Sequence, residues 1–69
     1  MPRKYEIFDK MAKEFASELL EKENDQEYKF VLDRTEIVRK LSVVMDRDYS
    51  ETSTMFDSKV NEYKKRLRF

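Results

Sequence analysis

The chain has 69 residues, of which 43% are charged, and its fifteen acidic and fifteen basic side chains cancel to a formal net charge of zero. It contains no cysteine, histidine or glycine, which excludes disulfides, thiolate metal sites, glycine-rich phosphate loops and a histidine general base. A hydrophobic content of 39% is enough for one small core, so residues 1–69 are expected to form a single domain.

Several functional classes are unexpected on this sequence. No catalytic signature occurs, so we expect no enzyme, no catalytic residues, no cofactor and no small-molecule substrate. The carboxylate pair Asp46 and Asp48 is typical of a solvated turn, so no metal site is expected. No apolar stretch approaches membrane-spanning length and no signal-peptide core is present, which favours a cytoplasmic protein without membrane association.

The first predicted element is an amphipathic helix over Arg3 to Lys22, within an N-terminal unit of residues 1–24. Apolar residues recur there in pairs every four positions, as one face of a helix requires. The polar residues Glu23 to Gln26 then favour a turn. The opposite, solvent-facing side of this helix is expected to carry Lys10, Lys13, Glu14, Glu18 and Glu21.

An alternating run follows at residues 28–33, where Tyr28, Phe30 and Leu32 would share one face of a β-strand. No second strand is predicted, so the backbone groups of this strand would need a partner chain, most economically a second copy in a homodimer. The alternative is that residues 28–33 form an extended loop or a first helical turn, which gives an all-α three-helix domain.

Two further helices complete the unit predicted for residues 25–69. The first spans residues 34–47, with Asp33 and Glu36 at the spacing of a capping box. Val43 widens its apolar stripe, so we expect this helix to be buried on more than one side. The second spans residues 51–67, with Ser50 or Ser53 as its N-cap and a basic C-terminal end.

Residues 28–69 resemble the ribbon-helix-helix family of Arc and MetJ-like repressors. The run Ser50-Glu-Thr-Ser53-Thr-Met55-Phe56, followed by Val60 and Tyr63-Lys64-Lys65, is similar to the second helix of Arc-like members. The resemblance implies a mainly α homodimer that binds double-stranded DNA and regulates transcription, with an added N-terminal helix.

In this family a two-stranded ribbon enters the major groove while amides at a helix N-terminus bind phosphate. The resemblance therefore implies DNA contacts from Lys29, Val31, Asp33, Thr52, Ser53, Lys64 and Lys65. It also implies a dimer core made of Phe30, Leu32, Phe56, Val60 and Tyr63.

An alternative function is also compatible with this composition. The balanced charge, the lack of catalytic chemistry and the aromatic-rich first helix favour an all-α protein-interaction module. Such a module would act as a small inhibitor or adaptor by binding a partner protein.

Overall fold

The computed structural model describes residues 3–68, which form three α-helices around one core. Helix α1 spans Lys4–Asn24, α2 spans Arg34–Met45 and α3 spans Tyr49–Leu67. No β-strand occurs within residues 3–68. The predicted N-terminal helix is confirmed, and the parts of the predicted domain at residues 1, 2 and 69 lie outside the described residues.

The predicted strand at residues 28–33 is wrong, and with it the ribbon-helix-helix fold. These residues form an irregular segment that lies along α1. The backbone N–H groups of Val31 and Leu32 donate to the carboxylate of Glu18, at 2.6 and 3.0 Å, so they have a partner within the same chain. The need for a second strand disappears, and the all-α three-helix alternative describes the fold.

The N-cap of α2 is Asp33, as predicted, but the reciprocal capping box is replaced by other contacts. The Asp33 side chain accepts from the Thr35 amide at 3.0 Å, whereas Glu36 pairs with Arg39 at 3.1 Å. The predicted helix 34–47 stops earlier, at Met45, because Asp46 takes the left-handed conformation (φ 57°, ψ 48°).

Helix α3 begins at Tyr49, two residues before the predicted start. Its N-cap is Asp48, whose carboxylate accepts from the Glu51 amide at 2.7 Å, so neither Ser50 nor Ser53 has the predicted capping role. Because a carboxylate also interacts favourably with the helix dipole, Asp48 is the more effective cap.

The core lies between the three helices and is organised by aromatic side chains. Phe56 of α3 is completely buried and contacts Phe8 and Phe15 of α1, with ring centroids 6.1 and 5.7 Å apart. Helix α1 packs mainly against α3, which leaves a shallower junction between α1 and α2. The buried apolar set is Phe8, Ala12, Phe15, Ala16, Ile37, Val38, Leu41, Met45, Phe56 and Val60.

Candidate functional site

An apolar groove of about 440 Å³ lies between α1 and α2 and is bounded at one end by the 28–33 segment. We call it the α1–α2 groove. It lies where the two helices pack least closely, so apolar side chains from both stripes remain uncovered. Its lining residues are Ile7, Met11, Val31, Leu32, Asp33, Glu36, Ile37, Lys40, Leu41 and Val44.

Three apolar side chains of the groove remain accessible to solvent. Ile7 of α1 is 45% exposed, Val44 of α2 is 38% exposed and Val31 is 83% exposed. Beneath them, Ile37 and Leu41 are buried and connect the groove to the core. The groove is therefore a continuation of the core that one copy of the chain leaves open.

Charged side chains border the groove along α2. Asp33 and Glu36 lie at the N-terminal end of this helix, and Lys40 lies one turn further on. Within residues 3–68 the ion pairs include Glu36 but not Lys40. The groove thus combines an apolar base with an acidic end and an exposed ammonium group.

The position of the 28–33 segment depends on two side chains of α1. Glu18, which is buried, accepts from the Tyr28 hydroxyl at 3.2 Å in addition to the two backbone amides. Lys22 donates to the carbonyl oxygens of Gln26 and Tyr28. Burial and the contact with Glu18 raise the pKa of the Tyr28 hydroxyl, which remains protonated and can donate at neutral pH. This network holds Val31 at the end of the groove.

The first three residues expected to contact DNA lie in or beside this segment. The Lys29 side chain is exposed, Val31 lines the groove and Asp33 caps α2. They do not form a ribbon, because the segment has no paired strand. Their expected contacts with DNA bases stay a prediction, but the strand geometry on which that prediction was based is absent from residues 28–33.

The other four expected DNA contacts lie on α3 as two adjacent pairs, one near each end of the helix. Thr52 is fully buried, and the Ser53 hydroxyl accepts from Arg34 at 2.7 Å. Lys64 pairs with Glu23 at 3.0 Å, and Lys65 is exposed. Ser53 and Lys64 are separated along the helix by about 16 Å at 1.5 Å per residue.

The residues expected in a dimer core have their neighbours within a single chain. Phe56 and Val60 are buried in the three-helix core, and Leu32 and Tyr63 pack against it. Phe30 stacks on Phe15 with ring centroids 5.9 Å apart. All five side chains therefore lie in the hydrophobic core of a single chain or pack at the edge of that core.

Sequence reasoning did not identify the groove as a site, although one signal pointed to it. Val43 and Val44 make the apolar stripe of α2 wider than its core contacts require. The expectation that α2 is buried on more than one side is wrong for a single copy, because Val43 is 79% exposed. The excess of apolar residues therefore marks an uncovered surface.

Comparison of the chain with protein-family models, curated proteins and solved structures finds no match. Among the described residues, no cluster of acidic side chains is placed to hold a metal ion. None of the helices between residues 3 and 68 is long and apolar enough to cross a membrane. The α1–α2 groove is the feature on which a function can be argued.

Proposed function

We propose that this chain is a cytoplasmic, all-α protein-interaction module that acts as a small inhibitor or adaptor. The observation that carries the proposal is the α1–α2 groove, with exposed apolar side chains above buried ones. Grooves of this kind receive the apolar face of a protein segment. The proposed binding event covers Ile7, Val31 and Val44.

The chemistry of the groove favours a protein segment over a small molecule. The groove is open to solvent, and seven of its ten lining residues are apolar. Small-molecule sites enclose most of the ligand and direct several polar groups at it. An exposed apolar strip in a chain with 43% charged residues is more typical of a protein contact surface.

Binding to duplex DNA has less support from the described geometry. The ribbon that would enter the major groove is absent from residues 28–33. At the N-terminus of α3, the Glu51 amide already donates to Asp48, and Lys64 is neutralised by Glu23. A phosphate that bound the Glu51 amide or Lys64 would have to replace the contact that each group already makes within the chain.

Site-directed photo-crosslinking tests the proposal. A photoreactive amino acid at Lys40, on the border of the groove, should form a discrete covalent adduct with a protein in the native host. The matched control is the same amino acid at Lys65, an exposed lysine on α3 outside the groove. Val44→Asp should abolish the Lys40 adduct because a carboxylate disfavours burial of the groove.

Circular dichroism of each variant should show unchanged helix content. Equal adducts from Lys40 and Lys65, or a Lys40 adduct that survives Val44→Asp, would contradict docking in the groove. Crosslinks to nucleic acid alone would return the DNA-binding prediction to first place.

A further inference from the structure

We infer that the occupant of the α1–α2 groove is a second copy of this chain, which packs its α2 antiparallel to the first α2. This inference rests on the proposed function, because it names the partner of the same groove. It uses a different surface from the strand pairing expected from the sequence.

The exposed side of α2 carries one further apolar side chain, Val43, beside the groove lining. Successive helical residues are about 100° apart, so Glu36, Lys40, Val43 and Val44 lie within about 100° of arc. This side faces away from the core residue Val38. Val43 and Val44 together form an apolar end of the strip that no residue of the same chain covers fully.

The charges along this strip change sign from one end to the other. The N-terminal end of α2 carries Asp33 and Glu36, while Lys40 and Arg47 follow toward the C-terminal end. Glu36 also pairs with Arg39 and Arg47 with Glu51, whereas Lys40 is exposed. A two-fold rotation can place Glu36 of one copy against Lys40 of the other, and symmetry repeats this contact, so the surface is self-complementary at these two positions.

One register pairs Glu36 with Lys40 across the two-fold axis and also covers Val44. If the two-fold axis passes at the level of Val38, Glu36 of one copy faces Lys40 of the second copy. The same register brings Val44 against Leu32 and the neighbouring Val31 of the second copy. The 28–33 segment, held by Glu18, thereby supplies the apolar contact at each end.

The size of the surface predicts a weak dimer. Helix α2 has 12 residues and is about 18 Å long at 1.5 Å per residue, so one antiparallel pair buries less area than a standard interface. We expect a dissociation constant between about 1 µM and 1 mM, the range of transient interfaces. The protein should therefore be a monomer when dilute and a dimer when concentrated.

Charge reversal in analytical ultracentrifugation tests the register. Glu36→Lys and Lys40→Glu should each raise the dissociation constant about tenfold, because symmetry repeats each like-charge contact. Either variant alone should remain largely monomeric. An equimolar mixture of the two should form a heterodimer, since every Lys then faces a Glu. Lys65→Glu is the matched control, and its dissociation constant should stay unchanged.

The outcomes separate this inference from the proposed function. A concentration-independent monomer, with a Lys40 crosslink to a different protein, would overturn the second copy and retain the interaction module. If neither charge reversal changes the dissociation constant of the dimer, self-association uses a different surface, and this result would also overturn the inference. A monomer without any groove-dependent crosslink would remove both proposals. Restored association in the mixture supports the antiparallel register.

Discussion

The carboxylate of Glu18 accepts the backbone N–H of Val31 at 2.6 Å, and so joins α1 to a residue thirteen positions further along the chain. The same carboxylate binds the Leu32 amide and the Tyr28 hydroxyl. A single buried side chain thus replaces the strand partner that these backbone groups would otherwise need. The conformation of one end of the α1–α2 groove depends on this contact.

Glu18→Ala should lower the free energy of unfolding by about 2 kcal/mol, because it leaves partly buried amide donors without an acceptor. Glu18→Gln should have a smaller effect, since the amide oxygen can still accept from Val31. Urea denaturation gives the stability, and amide exchange should show faster opening at Val31 and Leu32.

Glu14→Ala is the control for this substitution, because Glu14 is an exposed acid of the same helix face one turn earlier. Its effect should stay within about 0.5 kcal/mol. Equal losses from the Glu14 and Glu18 variants would mean that the contact with the 28–33 segment contributes nothing.

Periodicity correctly predicted all three helices, because each buries one continuous apolar stripe and a stripe is a local property of the sequence. Glu18 shows where this reasoning stops. By spacing it belongs to the polar face of α1, yet it is buried under the 28–33 segment. Its burial depends on where a distant segment crosses α1, which local periodicity does not determine.

Local periodicity also accounts for part of the groove. By helical spacing, Ile7 and Met11 belong to the apolar stripe of α1, and Leu41 and Val44 belong to that of α2. Which part of a stripe stays uncovered depends on how extensively two helices pack, and α1 packs more extensively against α3 than against α2. The sequence therefore predicts that these four side chains lie on apolar helix faces, but neither the groove nor their exposure.

The end of α2 offers a second test. Asp46 has φ 57° and is followed by the Schellman pattern, in which Arg47 donates to Ser42 at 3.0 Å and Asp46 to Val43 at 3.2 Å. Glycine is the residue best suited to this conformation because it has no Cβ. Asp46→Gly should raise the free energy of unfolding by about 1 kcal/mol.

Asp46→Ala is the matched comparison. It removes the same carboxylate from the C-terminal end of the helix dipole but keeps the Cβ atom. In thermal or urea denaturation, the free energy of unfolding of the Gly variant should exceed that of the Ala variant by about 1 kcal/mol. Equal stabilities would show that the left-handed conformation carries no Cβ penalty at this position.

Thr52 provides a test within the core. Its side chain is fully buried, and its Oγ1 has no hydrogen-bond partner among residues 3–68. Thr52→Val keeps the shape and removes the unsatisfied hydroxyl, so it should raise the free energy of unfolding by about 1 kcal/mol.

Thr52→Ser, which keeps the hydroxyl and loses the methyl group, should lower the free energy of unfolding by about 1 kcal/mol. Both variants are compared by urea denaturation. A destabilised Val variant would reveal a partner for Oγ1, such as a buried water, and would contradict the assignment. Because the hydroxyl is inaccessible, neither change should affect binding at the groove.

The last prediction concerns the ion pairs of Glu23, which join the C-terminal ends of α1 and α3. Hydrogen bonding to Lys64 and the charge of Arg68 lower the pKa of Glu23 below its ordinary value of 4.5. Lys64→Gln should move the pKa back toward 4.5, as followed by NMR titration of the Glu23 carboxyl. Lys65→Gln, the neighbouring exposed lysine, should leave it unchanged.

The sign of the pH dependence follows from the direction of this shift. A lowered pKa in the folded state means that the stabilisation by Glu23 is present above pH 4.5 and is lost as the pH falls through the folded-state pKa. The difference in stability between the natural chain and Lys64→Gln should therefore be largest near neutral pH and shrink in acid. A difference that grows below pH 4.5 would contradict the assignment of this ion pair.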